Sequence, residues 1–189
     1  MVRVCLIALC LATPAFADPV PGNTARGQLF HAERVEVVRL DVTGLSDQEV
    51  ALLTQVAQTQ KYYAAIAFAP AQGIMAEPTV MAANYHSLDS ARAAAEGQCN
   101  ARRSGGQACR IALEVRPAGY EARDVTLSAD ATAGFNRDYR RARGERALAI
   151  SASTGLWSIA TGAGAAEAAI AGCQGESAAR DCTVVIADQ

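Results

Sequence analysis

Cys99, Cys109, Cys173 and Cys182 constrain this chain more than any other feature, because they fall into two short-spaced pairs, C-x9-C and C-x8-C. Structural zinc sites, the competing use for clustered cysteines, favour tighter CxxC-like spacings. An even number of cysteines in an exported chain predicts two disulfides instead. Local pairing, Cys99 with Cys109 and Cys173 with Cys182, is the simplest of three connectivities. Each short loop would then stabilise the fold by roughly 2.5–3 kcal/mol in the chain-entropy description.

Export is read from the first residues, MVRVCLIALCLATPAFA. Arg3 precedes an apolar run from Val4 to Ala12, and the segment closes on the small-x-small ending Ala15-Phe16-Ala17. This pattern predicts a secretory signal peptide over residues 1–17, cleaved before Asp18. The run is too short for a membrane anchor. Leu9 before Cys10 is too large for a lipoprotein site, and no other stretch approaches a transmembrane length. Cleavage removes Arg3, Cys5 and Cys10, leaving the four paired cysteines. The expected location is periplasmic or secreted.

The surroundings of the two cysteine pairs also match each other. Ala65-Ile-Ala-Phe-Ala-Pro-Ala-Gln-Gly73-Ile-Met75 aligns with Ala147-Leu-Ala-Ile-Ser-Ala-Ser-Thr-Gly155-Leu-Trp157. In each copy an alanine-rich stretch follows, then the first cysteine, the second cysteine and a β-branched run. Ile66/Phe68 and Leu148/Ile150 alternate as strands do. Gly73 and Gly155 can take the positive φ of a tight turn. A helix is expected over Leu88 to Gln98 in one unit and Ala165 to Gly172 in the other. The predicted fold class is therefore α+β. Two β-β-α-β units form one mainly antiparallel sheet assembly with helices packed on it and two disulfides. The first unit carries about eight extra residues near Glu77 to Asn84, a reasonable place for added function.

The remaining segments frame these units. The expected organisation is a signal peptide (1–17); an N-terminal leader, strand and helix (18–61); the first unit (62–117); a connecting strand and Arg-rich helix (118–145); and the second unit (146–189). Asp18 to Asn23 reads as a loose leader. Val35 to Val42 reads as a strand, and Ser46-x-x-Glu49 as a capping box opening a helix to about Gln60. A short strand is expected around Val125 to Leu127 and a helix from Ala129 to Arg141.

Composition narrows the function classes. Alanine supplies 42 of 189 residues and aromatics 5%, so the core must rely on small and aliphatic side chains. The formal net charge of -2 argues against a nucleic-acid binder that needs a basic surface.

Tyr63-Ala64-Ala65-Ile66-Ala67-Phe68, the alanine-rich helix ending at Cys99, and Cys109-Arg-Ile-Ala together resemble small exported bacterial repeat proteins of unknown function. Those carry a Y-x-A-I-A strand and a cysteine pair per unit. The resemblance covers the two units, roughly half of the chain. Close look-alikes of the whole chain sometimes bear the name 5-aminolevulinate synthase, an enzyme family that holds pyridoxal phosphate as a lysine Schiff base in a much larger fold. Here the only lysine is Lys61, with no cofactor motif around it. The resemblance therefore implies no cofactor and no site residues.

Candidate sites are few. His86, in Asn84-Tyr85-His86-Ser87-Leu88-Asp89, stands beside the insertion, and a functional reading makes it a base or ligand supported by Tyr85, Asn84 or Asp89. The simpler reading is a polar residue flanking a helix capped by Ser87. His31 has less around it. Gly162-Ala-Gly164-Ala-Ala-Glu167 departs from the dinucleotide fingerprint at its last position. The dense basic cluster of Arg137, Arg140, Arg141, Arg143 and Arg146 could bind an anionic envelope polymer or an acidic partner. Its other reading is a solvated helix face, with Phe135 and Tyr139 buried beneath and Asp138 paired to Arg141. The chain is thus expected to be a non-catalytic binding or protein-interaction module without cofactor or metal. Its binding candidates are Arg137, Arg140 and Arg141. The alternative is a small cell-envelope enzyme, hydrolase-like, centred on His86 and the insertion before it.

Overall fold

The computed structural model describes residues 18–40, 42–175 and 179–189. The leader expected over residues 1–17 lies outside them. Chain order runs α1 (Gly22–Gln28), β1 (Val35–Arg39), α2 (Asp47–Gln58), β2 (Ala64–Phe68), β3 (Val80–Ala82), α3 (Leu88–Arg102) and β4 (Arg110–Pro117). It continues through α4 (Ala129–Arg137), a 3-10 turn (Tyr139–Arg141), β5 (Arg146–Ser151), β6 (Trp157–Thr161), α5 (Ala165–Gln174) and β7 (Cys182–Asp188).

The strands form two antiparallel sheets, β1-β4-β2-β3 and β6-β5-β7, where the sequence pattern predicts a single assembly. Each sheet fills its own two faces, so neither needs the other's strands to bury apolar surface. The period of two along a strand divides β2 between them: Ala65 and Ala67 lie under α3, against Ala91 and Ala95. Ile66 and Phe68 turn to the opposite face, with Leu53 and Ala57 of α2. In the second sheet Ala147 and Ala149 lie under α5, against Ala165 and Ala169. Leu148 faces Phe135 and Tyr139 on the other side. Alanine on alanine lets each helix approach its sheet closely, while the larger side chains fill the far layer.

Disulfides join Cys99 to Cys109 and Cys173 to Cys182, with Cα separations of 6.1 and 6.0 Å. Each staples the end of a helix to the start of the strand that follows it.

Register slips between Ile66 and Ala67 against β4, and between Leu148 and Ala149 against β7. The residues left over are Ala112 and Val185, each three positions after the second cysteine of its pair. Their carbonyls accept from outer segments: Leu40 N–H at 2.9 Å and Val20 N–H at 3.0 Å.

Several segments differ from the sequence-based expectation. Val20 bridges Ile186, and α1 starts at Gly22, so the expected loose leader is held on the edge of β7. Gly73 has φ +75°, but β3 begins only at Val80 because Ile74 to Thr79 form successive turns. Val125 to Leu127 finds no partner strand; Val125 and Leu127 are buried in the layer under β5, and Val125 N–H donates to Gln28 Oε1 at 2.9 Å. Helix α4 stops at Arg137. There the Asp138 N–H closes on Gly134 O, and a 3-10 turn carries Tyr139 to a stacked contact on Phe135, ring centroids 5.2 Å apart. Among the described residues no helix is long and apolar enough to cross a membrane.

Candidate functional site

His86 is placed by the short connection between β3 and α3, with Ser87 capping α3 through the Ser90 N–H at 3.1 Å. Its ring is buried, 2% exposed. Nδ1 accepts the Ser128 N–H at 3.1 Å, which leaves Nε2 to donate to the Leu156 carbonyl at 3.0 Å. Both nitrogens are thus engaged by backbone, and the ring is neutral: burial pushes its pKa down to about 4, against the opposing pull of the Leu156 and Gly155 backbone. A proton acceptor for a substrate needs a nitrogen within reach of it, and neither ring nitrogen is open here.

The residues around His86 work the same joint. Asn84, at φ +62°, accepts the Asp130 N–H at Oδ1 (3.1 Å) and donates from Nδ2 to Asp130 Oδ2 at 3.0 Å. Ser128 caps α4 by accepting the Ala131 N–H at 3.1 Å. The segment from Asn84 to His86 therefore holds both the start of α4 and the β5–β6 turn. Asp181, immediately before β7, accepts from the start of that turn: Ser151 Oγ at 2.5 Å, Ser153 Oγ at 2.9 Å and Ser153 N–H at 2.8 Å. Burial would raise its pKa, and these hydrogen bonds outweigh it and hold the carboxyl below its ordinary value.

The arginine cluster divides. Arg137 is exposed and pairs with its neighbour Asp138 at 2.6 Å, the partner expected for Arg141. Arg146 is taken by Asp188, Nη2 to Oδ2 2.9 Å, and also donates to the Ala142 carbonyl. The Tyr139 hydroxyl and the Gly22 N–H complete that carboxylate, each at 3.1 Å. Arg140 donates to the Asn136 side-chain oxygen at 3.1 Å, with no carboxylate partner among the described residues.

Arg140 borders a groove of about 300 Å³ between α1 and the 3-10 turn, with Asn23 and Arg26 of α1 and the bonded pair Arg146 and Asp188 also lining it. The groove continues past Phe30 and His31 as a further hollow of about 240 Å³, again bordered by Arg26 and Arg140. Arg26 is exposed and makes no ion pair among the described residues. Arg137 and Arg141 line neither part. Arg26 escapes a reading of the sequence because Asp18-Pro-Val-Pro-Gly-Asn looks like turn and leader, hiding the helix that follows.

No group of three or more His, Cys, Asp or Glu side chains gathers into a metal-holding arrangement among the described residues. No protein-family model, curated protein or solved structure matches this chain.

Proposed function

We propose that this chain is an exported, non-catalytic binding module that takes an anionic group, carboxylate or phosphate, in the groove between Arg26 and Arg140. The single observation carrying the reading is that Arg26 and Arg140 border one groove with no ion pair of their own among the described residues, while the carboxylate that lines it, Asp188, is already held by Arg146, Tyr139 and Gly22. The neighbouring arginines 137 and 146 are already neutralised by Asp138 and Asp188. Guanidinium is the side chain best shaped for bidentate contact with planar or tetrahedral oxyanions. Two disulfides are compatible with an oxidising compartment, and the leader reading of residues 1–17 supplies the route.

The same reading treats the two sheets as copies of one β-β-α-β unit. Support comes from the shared strand order, from slips at matching positions, and from Gly73 and Gly155 both at φ +75°. In both turns that glycine's N–H donates to the carbonyl four residues earlier, Ala69 or Ser151.

The test is titration of the 15N-labelled protein with inorganic phosphate and with a glutamate-rich peptide at low salt. Saturable shifts at Asn23, Arg26 and Arg140 are expected, weakening as salt screens the charges and vanishing in an Arg26→Ala/Arg140→Ala variant. Absence of saturable shifts with both probes, or identical binding by the variant, overturns the reading.

A further inference from the structure

A second cleft, about 450 Å³, opens on the other face of the β6-β5-β7 sheet, between the start of α5 and the ends of β5 and β7. Its walls are Ala147, Ala165, Ala166 and Ala187, with Glu145 and Gln189 at its polar end. Arg146 and Asp188 at the rim are already bonded to each other.

The first sheet has the corresponding space filled. Arg92 lies on α3 seven residues before Cys99, and Glu114 on β4 five residues after Cys109. Glu114 is fully buried, and its carboxylate is held by Arg92 Nε and by Arg116 at 2.6 and 2.8 Å. Two guanidinium groups and one carboxylate thus occupy the gap between helix and strand.

Counting from the second disulfide, the same three positions are Ala166, Ala187 and Gln189. The pairing confirms the correspondence of place, since Ala65 stands opposite Glu114 and Ala147 opposite Ala187. Both guanidiniums and the strand carboxylate are gone, and the cleft is the room they would take. One carboxylate is brought back from a different position. Glu145 Oε1 accepts the Gly164 and Ala165 N–H groups at 3.0 Å each, which fixes the side chain at the mouth of the cleft. Its Oε2 accepts no hydrogen bond among the described residues.

We propose that this cleft binds a guanidinium group, that of an arginine, with Glu145 as its carboxylate partner and the alanine walls holding its aliphatic stem. A guanidinium fork matches a carboxylate in plane, and its methylene stem gains by leaving water along apolar walls. The first sheet supplies such groups from its own chain, whereas the second must take one from outside. The inference does not depend on the arginine groove, which shares the bonded pair Arg146 and Asp188 with this cleft but is otherwise lined by different residues.

The experiment follows amide shifts of the 15N-labelled, oxidised full protein on titration with N-acetyl-arginine amide, its neutral citrulline isostere, and free L-arginine. The arginine amide is expected to give saturable shifts at Gly164 to Ala166 with a Kd of about 1 mM or tighter, and citrulline a Kd at least about tenfold weaker. Glu145→Gln keeps an oxygen for the Gly164 and Ala165 N–H groups but removes the charge, and is expected to lose about tenfold as well. Ala166→Arg restores an arginine where the first sheet has one, and is expected to abolish binding while amide signals outside the cleft stay in place. Equal affinity for free L-arginine identifies a small guanidino compound as the ligand. Preference for the blocked form identifies an arginine in a peptide segment, and either pattern sustains the site. No saturable shift with any guanidinium probe, equal response to citrulline, or unchanged binding by Glu145→Gln overturns it.

Discussion

His86 donates from Nε2 to the carbonyl of Leu156 at 3.0 Å, so a side chain just ahead of α3 fixes the β5–β6 turn of the other sheet. The same ring accepts the Ser128 N–H, which joins the start of α4 to that contact. One neutral imidazole thereby satisfies a buried donor and a buried acceptor contributed by two separate segments.

This joint makes stability depend on pH. With a pKa of about 4 when folded against 6.5 when free, His86 takes up its proton in the unfolded chain first. Its contribution is complete above pH 6.5 and is lost as pH falls towards 4. The loss across this window is about 3 kcal/mol by linkage. Denaturant unfolding at a series of pH values checks this, with His86→Gln expected to be weaker at neutral pH and to have a flatter slope. Parallel slopes for the two proteins would refute the assignment.

Gly155 and Gly73 provide a matched pair of turns. Both have φ +75°, so alanine carries the same left-handed penalty, about 1–2 kcal/mol, at either position. Around Gly73 a Cβ meets open space, whereas at Gly155 it would come within 3.1 Å of the Asn84 carbonyl oxygen. Gly155→Ala is therefore expected to cost more than Gly73→Ala in equilibrium unfolding. Equal costs would mean that the Asn84 segment yields freely.

Much of this fold is legible in the sequence, because its signals are local. Cysteine spacing, alternation in β2 and β5, and the Ser46-Glu49 capping box each depend on neighbours within a few residues. What escapes depends on partners far along the chain. Val125 and Leu127 alternate like a strand but bury their side chains beside α1 and α4. Asp188 draws Gly22, Tyr139 and Arg146 together from three distant segments, and no spacing rule links them. The groove at Arg26 and Arg140 depends on that convergence. His86 is conspicuous by residue type, but its role is set by two backbone groups that carry no sequence signature.

The two staples are expected to contribute separately. Each closes a loop of similar length, with sequence separations of 10 and 9 residues. Replacing either pair by alanine, which suits the buried sites of Cys99 and Cys173, should lower unfolding free energy by about 3 kcal/mol. The double replacement should approach the sum, because the two lie in different sheets. A pair whose removal leaves the denaturation midpoint unchanged would show that its helix end is held by packing alone.

Gly134 offers a test of how α4 is seated on β6. A Cβ there would lie 2.3 Å from Trp157 Cη2 and 2.6 Å from Cζ3, so the indole rests directly against the helix backbone. On an exposed helix, alanine for glycine would gain about 1 kcal/mol. Here the added methyl must displace the ring, at a cost of about 1–3 kcal/mol typical of overpacking. Gly134→Ala is expected to destabilise the fold and to shift the emission of the chain's single tryptophan to longer wavelength as the ring moves towards water. A more stable variant with unchanged emission would show that α4 can lift from β6 without loss.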